Sequence, residues 1–120
     1  MIFDQALWGK WEFEEMVVVE GNQRHLVDKD TALDELGDDI YETYFEFREN
    51  DTAKWTIVPI SNNTANFIIF DYELLDNVIT FYTPDGDTMI AEIIDDTMVL
   101  DMSAELEIPN AYWVFEKVYD

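Results

Sequence analysis

The sequence predicts an all-β fold, namely a single-domain, eight-stranded antiparallel up-and-down barrel over residues 1–120. One observation behind this prediction is that apolar and polar residues alternate with a period of two in eight segments. Another is that short turn-forming sequences separate most of these segments. Because a flat sheet of eight strands would leave two bare edges and an uncovered apolar face, we expect it to close into a barrel. An open sandwich is the alternative.

The first predicted strand changes its alternation halfway along. Trp11 and Phe13 fall on one face of it, and acidic residues fall on the other. The pair Glu14-Glu15 then breaks the phase before the apolar run 16–19. This break predicts a β-bulge that lets one long strand curve.

The segment 23–39 is the least regular part of the sequence, and we expect at most a short helix in it. Thr31 followed by Asp34 resembles a capping box, with Asp in place of the usual Glu or Gln. Leu36 and Gly37 suit one or two helical turns that end at a C-terminal glycine. The segment is either a lid over one end of the barrel or a plain connection.

Seven further strands complete the predicted barrel. Two of them, 40–49 and 52–60, are joined by an acidic turn, and Pro59 predicts that the second frays or lies at an edge there. The next four form a meander, and the last strand follows a connection over 103–109. The meander strands are 67–75, 78–83, 88–94 and 97–102, their turns are Asp76-Asn77, 84–87 and Asp95-Asp96, and the last strand is 111–118.

The charge of the chain narrows the functions that it can have. There are 28 Asp and Glu residues against 6 Lys and Arg residues, which gives a net charge of −22. Binding to nucleic acid or to anionic lipid needs basic groups, so we expect neither partner. Apolar residues make up 48% of the chain and aromatic residues 15%, a content that disfavours disorder.

Residue types also exclude several kinds of site. The chain has no Cys, which rules out disulfides and thiolate chemistry, and it has no apolar run of about 18 residues that could insert in a membrane. His25 is the single histidine, and we interpret it as a solvated loop residue. A calcium loop starting at Asp28 fails, because Leu33 and Asp39 stand where it needs Gly and Glu. We therefore predict no enzyme activity, no metal site and no cofactor. Loose Ca²⁺ binding by the acidic cluster that begins at Asp28 or by Asp85-Gly86-Asp87 is the alternative to a solvated acidic surface.

Ten aromatic side chains are the remaining candidates for a ligand site. All of them fall on the predicted inner face of the barrel, where they would either line an apolar pocket or simply form a filled core. They are Trp11, Phe13, Phe45, Phe47, Trp55, Phe70, Tyr72, Phe81, Trp113 and Phe115.

Several motifs in order along the chain carry a family resemblance. They are Gly9-Lys10-Trp11, the run Tyr72-x-Leu74-x-x-Asn77-x-Ile79-x-Phe81, the turn Pro84-Asp85-Gly86, the run Met98-Val99-Leu100 and the ending Tyr112-Trp113-Val114-Phe115-Glu116-Lys117. In these motifs the chain resembles short bacterial lipocalin-like domains of the calycin superfamily. The resemblance implies that Trp11 closes one end of the barrel and that Lys117 takes the place of the arginine often stacked on that Trp. It also implies an exported protein, secreted or in the cell envelope, from which a targeting segment has been removed.

Two functional hypotheses follow from these observations. The first is a non-enzymatic small β-barrel binding module, with a small apolar ligand in or at the barrel mouth. The alternative is an acidic protein-interaction module, such as an inhibitor of a basic enzyme or a nucleic-acid mimic. The alternative predicts carboxylates concentrated on one face, whereas the barrel hypothesis predicts carboxylates spread around the outside.

Overall fold

A computed structural model describes residues 7–34, 40–48, 51–59 and 66–118. In chain order its elements are β1 (Gly9–Glu20), β2 (Gln23–Val27), α1 (Lys29–Asp34), β3 (Ile40–Phe47), β4 (Thr52–Pro59), β5 (Asn66–Leu75), β6 (Val78–Tyr82), β7 (Thr88–Ile94), β8 (Thr97–Asp101), α2 (Ser103–Leu106) and β9 (Ala111–Lys117).

The strands close into a barrel, as the sequence predicts. From β3 to β9 each strand pairs with the next one along the chain, and β1 pairs with both β3 and β9. All of these pairs are antiparallel, and the closing pair runs from Trp11↔Lys117 to Val18↔Ala111. The ring of eight strands is therefore β1 and β3 to β9, and the open sandwich is excluded.

The meander strands lie within one residue of their predicted bounds at each end. Two of the turns between them place an aspartate in the left-handed region, with φ of 57° at Asp76 and 55° at Asp95. Apart from glycine, Asp and Asn are the residues that best tolerate this conformation. For this reason the turns could be predicted from the sequence. The strand β4 is described up to Pro59, which pairs with Ile40, and the predicted fraying or edge position there stays a prediction.

A ninth strand lies where the sequence predicts an irregular connection. The strand β2 pairs with the second half of β1, from Met16↔Val27 to Glu20↔Gln23, after a turn in which Gly21 has a φ of 60°. The prediction was wrong here because most side chains of β2 are exposed, so burial imposes no alternation on its sequence. Backbone hydrogen bonds to β1 hold the strand instead. Because these bonds do not depend on the side chains, they impose no pattern on the residue types of β2.

The predicted bulge in β1 is confirmed. Pairing with β9 shifts register between Phe13 and Glu15, so one extra residue of β1 has no partner there. Trp11 and Phe13 before the shift are buried, and so is Met16 after it. The bulge therefore keeps large apolar side chains inside the barrel on both sides of the bend.

The cap of helix α1 lies three residues before the cap that the sequence predicts. This cap is Asp28, whose Oδ1 accepts a hydrogen bond from the N–H of Thr31 at 3.0 Å, and Thr31 itself lies inside the helix. The prediction that Thr31 is the cap was wrong, because the carboxylate of Asp28 already accepts from the third residue of the helix. Leu36 and Gly37, predicted to end the helix, lie outside the described residues.

The helix α1 is a lid rather than a plain connection. It packs against β1 and β3, at the end of the barrel where β3 begins and β4 ends. Ala32 and Leu33 are 0% and 1% exposed and belong to the barrel core. The segment therefore covers part of that end with apolar side chains.

Trp11 occupies the opposite end, as the family resemblance implies. Its Nε1–H donates a hydrogen bond of 2.9 Å to the carbonyl oxygen of Leu7, which is fully buried. The Nζ atom of Lys117 lies 5.9 Å from the centroid of the Trp11 ring, in cation–π range. Lys117 therefore takes the position that the resemblance assigns to a stacked arginine.

Candidate functional site

All ten aromatic residues that the sequence places on the inner face lie inside the barrel. None of them is more than 6% exposed, and all belong to one apolar cluster. Phe45 lies near the centre of this cluster, with ring centroids 5.2 to 6.4 Å from its own. The surrounding rings are those of Phe47, Trp55, Phe70, Phe81 and Phe115.

These ring contacts mean that side chains occupy the middle of the barrel. The Phe45 and Trp55 rings are nearly parallel, at 7° and 5.4 Å, and Phe13 lies 4.3 Å from Trp113. Offset and edge-on arrangements at such distances are the favourable ones for aromatic pairs. The inner-face assignment is thus confirmed, and a ligand-binding role for these residues stays a prediction.

The inner face of β4 and β5 passes from buried to exposed toward the end that carries α1. Phe70 is 2% exposed and Trp55 is 6% exposed, whereas Ile68, directly opposite Trp55, is 39% exposed. Ile57, two residues beyond Trp55 on the same face, is half-buried. We call Trp55, Ile57, Ile68 and Phe70 the mouth. The helix α1 covers the β1 and β3 side of this end, and the mouth lies on the β4 and β5 side.

Hydrogen bonds fix the indole of Trp55 at the mouth. Its Nε1–H donates to the hydroxyl oxygen of Thr43, which in turn donates to the carbonyl oxygen of Thr56 at 2.9 Å. Both threonines are 1% exposed. Because the indole donor is already used, Trp55 presents only its apolar ring to anything that enters.

Ile57 and Ile68 are not among the site residues that the sequence predicts. Both follow the same inward alternation as their aromatic neighbours, so the period of two could have found them. Their exposure, however, depends on how far β5 extends past β6, and β6 pairs only with the stretch of β5 from Asp71 onward. The local sequence of β5 does not specify how far this strand extends past β6.

A second apolar depression lies on the outside of the barrel. It is a groove of about 250 Å³ over β1, β8 and β9, with Arg24 of β2 at its border. The alternation in the sequence predicts an acidic outer surface and does not predict this groove. Its lining residues are Val17, Val19, Arg24, Val99, Tyr112 and Val114.

Carboxylates lie on outward positions all around the described barrel. They occur on β1, β3, β5, β7, β8 and β9, and they are Glu12, Glu14, Glu42, Glu46, Asp71, Glu73, Glu92, Asp101 and Glu116. Such a spread is what the barrel hypothesis expects, and a mimic that concentrates charge on one face would look different.

Few titratable groups of the described residues have distinctive surroundings. His25 is exposed on β2, not in a loop, with its Nε2 3.7 Å from a carboxylate oxygen of Glu20. Partial burial and the neighbouring Glu73 carboxylate raise the pKa of Tyr82. Within the described ranges, no three His, Asp or Glu side chains converge as metal ligands. The helices described are also too short to cross a membrane.

Comparison with known proteins supports the fold. No family model and no curated protein matches the chain. A lipocalin-like protein from Bacteroides uniformis matches it with a TM-score of 0.59 at 13% identity, over 94% of this chain and 99% of that one. An uncharacterized protein from Bacteroides eggerthii matches with the same TM-score and identity, over 93% and 99%. Together with the closed ring of eight antiparallel strands, these matches show that the protein has a lipocalin-like fold.

Proposed function

We propose that this protein is a non-enzymatic binding module that takes a small, uncharged apolar ligand at the mouth. The observation that carries the proposal is the exposure of Ile68, at 39%, on the inner face of the barrel beside the buried Trp55 and Phe70. Covering apolar surface of this kind is worth roughly 25 cal/mol per Å². A ligand that lies across Trp55, Ile57 and Ile68 gains this free energy without displacing any core ring.

The packing of the interior argues for a shallow site at the mouth. Phe45 is fully buried among other rings, so a ligand in the middle of the barrel would have to displace them. Opening space of that size in a core costs about 3–5 kcal/mol, as the loss of a buried Phe does. The mouth needs no such rearrangement.

The charge and the hydrogen bonding of the site set the ligand class. A net charge of −22 repels anions, and carboxylates surround the barrel. The Trp55 donor is used by Thr43, so recognition relies on shape and apolar contact. An uncharged apolar molecule satisfies both conditions.

Titration with N-phenyl-1-naphthylamine, an uncharged fluorescent probe, tests this proposal. We expect saturable binding with transfer of excitation from tryptophan to the probe. The variant Ile68→Glu places a charge in the mouth and should weaken binding about tenfold or more, equivalent to about 1.4 kcal/mol. Leu75→Glu is the matched control, because Leu75 lies on the same strand, is 76% exposed and is far from the mouth. Equal loss in both variants, or no saturable binding to the wild type, would contradict the proposal.

Extraction of the purified protein with organic solvent and mass spectrometry tests the same proposal with the native ligand. We expect an apolar compound to be released from the wild type and to be depleted in Ile68→Glu. The Leu75→Glu variant should retain it.

A further inference from the structure

The first half of β5 is an open edge of the sheet. This strand pairs with β4 from Ile57↔Asn66 to Thr52↔Asp71, but with β6 only from Asp71↔Tyr82 onward. Beyond Tyr82 the chain turns back, with the N–H of Thr83 bonded to the carbonyl oxygen of Asp87 at 2.9 Å. Among the described residues, the stretch 66–70 therefore has a strand on its β4 side and none on the other.

Backbone groups of this stretch point out from the open edge. The N–H of Tyr72 donates to the carbonyl oxygen of Asp51 at 3.1 Å, which is the β4 side. Since backbone directions alternate along a strand, Phe67 and Ile69 direct their N–H and C=O groups the opposite way. Within the described parts of the chain those groups have no ladder partner. They are the groups that an added strand would bond.

The edge lacks the features that natural proteins use to prevent strand pairing. Exposed edges are usually protected by Lys, Pro or a bulge, and the stretch 66–70 of β5 contains no Lys and no Pro. Its three central side chains are exposed and apolar, at 57% for Phe67, 39% for Ile68 and 40% for Ile69. An apolar edge of this kind is an interaction surface.

Charge determines which strand can pair there. Asp71 and Glu73 continue the outer face of β5 and are exposed, and the turn that follows β6 carries exposed Asp85 and Asp87. A second copy of the chain would bring the same carboxylates and a further net charge of −22 to the contact, so the two copies would repel each other. A basic segment instead finds opposite charge at the Asp71 end of the edge, whereas Lys54 lies 4.4 Å from the Phe67 ring centroid at the other end.

We propose that an extended segment of a partner protein, with alternating basic and apolar residues, adds to β5 as an extra strand along 66–70. Its apolar residues lie on the side of Ile68, and its basic residues lie on the outer side, toward Asp71 and the turn 83–87. This inference does not depend on the ligand proposed for the mouth, because it rests on the backbone of the edge and on surface charge.

A short synthetic peptide with alternating lysine and valine tests the inference by fluorescence anisotropy with the wild-type protein. We expect saturable binding that weakens with salt. N-methylation of the peptide residues that face β5 removes their N–H donors and should weaken binding about tenfold. N-methylation of the alternate residues, which face away, should leave binding close to that of the parent. Equal binding of both methylated peptides would show attraction by charge alone and would overturn the inference, as would no binding of the parent peptide.

Variants of the protein separate the edge from the mouth. Ile69→Pro removes an N–H that points out from the edge and keeps the β4 ladder, so peptide binding should be lost. Ile69→Val is the matched control and should bind as the wild type does. If Ile69→Pro unfolds, Phe67→Lys places a lysine on the edge and should also weaken binding. Either variant should bind N-phenyl-1-naphthylamine normally, so the two proposals can fail separately.

The oligomeric state gives a further outcome. We expect the wild type to sediment as a monomer at physiological salt. A dimer that Ile69→Pro dissociates would mean that a second copy occupies the edge, and this would overturn the assignment to a basic partner segment.

Discussion

At the scale of single residues, contacts between aromatic rings position most of the large side chains in the barrel core. Phe45 is the clearest example, since it is fully buried and its ring lies parallel to that of Trp55 at 5.4 Å. Trp55 in turn depends on a threonine hydroxyl inside the barrel, so a polar residue orients part of the apolar core. Residue type alone indicated the rings, but not the role of Thr43.

We expect Phe45→Ala to lower the free energy of unfolding by about 3–5 kcal/mol, because it removes a ring from a packed interior. Urea denaturation monitored by tryptophan fluorescence measures this loss. Leu75→Ala, at a position that is 76% exposed, should stay within about 0.5 kcal/mol of the wild type. A loss at Phe45 no larger than that of the control would mean that the ring borders a cavity.

At the scale of elements, the segment between β1 and β3 shows what local sequence can and cannot specify. Its helix was predictable from capping residues, although the cap is Asp28 and not Thr31. Its strand β2 was not predictable, because exposed side chains carry no periodic signal and the strand exists only where β1 offers backbone partners. An element with a buried face can be identified from its own residues, and an element without one cannot.

The cap of α1 makes a prediction about pH. Two hydrogen bonds from Thr31 lower the pKa of Asp28. The larger effect comes from the Thr31 side chain and the smaller one from its backbone N–H. A folded-state pKa below the unfolded value means that ionised Asp28 stabilises the fold above the unfolded pKa. This contribution is lost as the pH falls through the folded pKa. We therefore expect Thr31→Val to raise the pKa of Asp28, measured by NMR titration of its carboxyl carbon.

The matched control for this titration is Thr97→Val, which also removes one hydroxyl but acts on β8, where Thr97 bonds Glu116. It should leave the titration of Asp28 unchanged. An Asp28 carboxyl that titrates at the same pH in Thr31→Val as in the wild type would contradict the assigned cause.

For the whole molecule, the balance between closure and charge decides stability. Closure of β1 on β9 removes two long sheet edges, and it concentrates carboxylates around the outside of one small barrel. The ion pairs of Lys10 with Glu12 and Glu42 are partly exposed, with 3.4 and 3.9 Å between the charged atoms, so they offset little of this repulsion. Repulsion between carboxylates is therefore the main long-range electrostatic effect.

We expect the melting temperature to rise as NaCl increases from about 0.1 M to about 1 M, because the Debye length falls from about 10 Å to about 3 Å. Differential scanning calorimetry measures the change. A variant with Glu14, Glu46 and Glu92 all replaced by Gln should show a smaller rise, since it carries less repulsion. A melting temperature that does not change with salt would contradict the prediction.

The sequence by itself determined which residues form most strands of the barrel and which side chains face inward. It could do so because the alternation of apolar and polar residues is a local property. In each strand, the apolar positions show which face is buried. The inward direction of the ten aromatic side chains and the bulge in β1 follow from this property, and the short turns of the meander follow from their own residue types.

Only the tertiary structure decided where the surface of the barrel is incomplete. The exposure of Ile68, the open edge at Phe67 and Ile69, and the strand β2 all depend on how far one strand extends past its neighbours. That offset is set by pairing between segments distant in the chain, and no single segment encodes it. For this reason the sequence specified the core of the molecule, while the structure was needed to find the surfaces at which we propose binding.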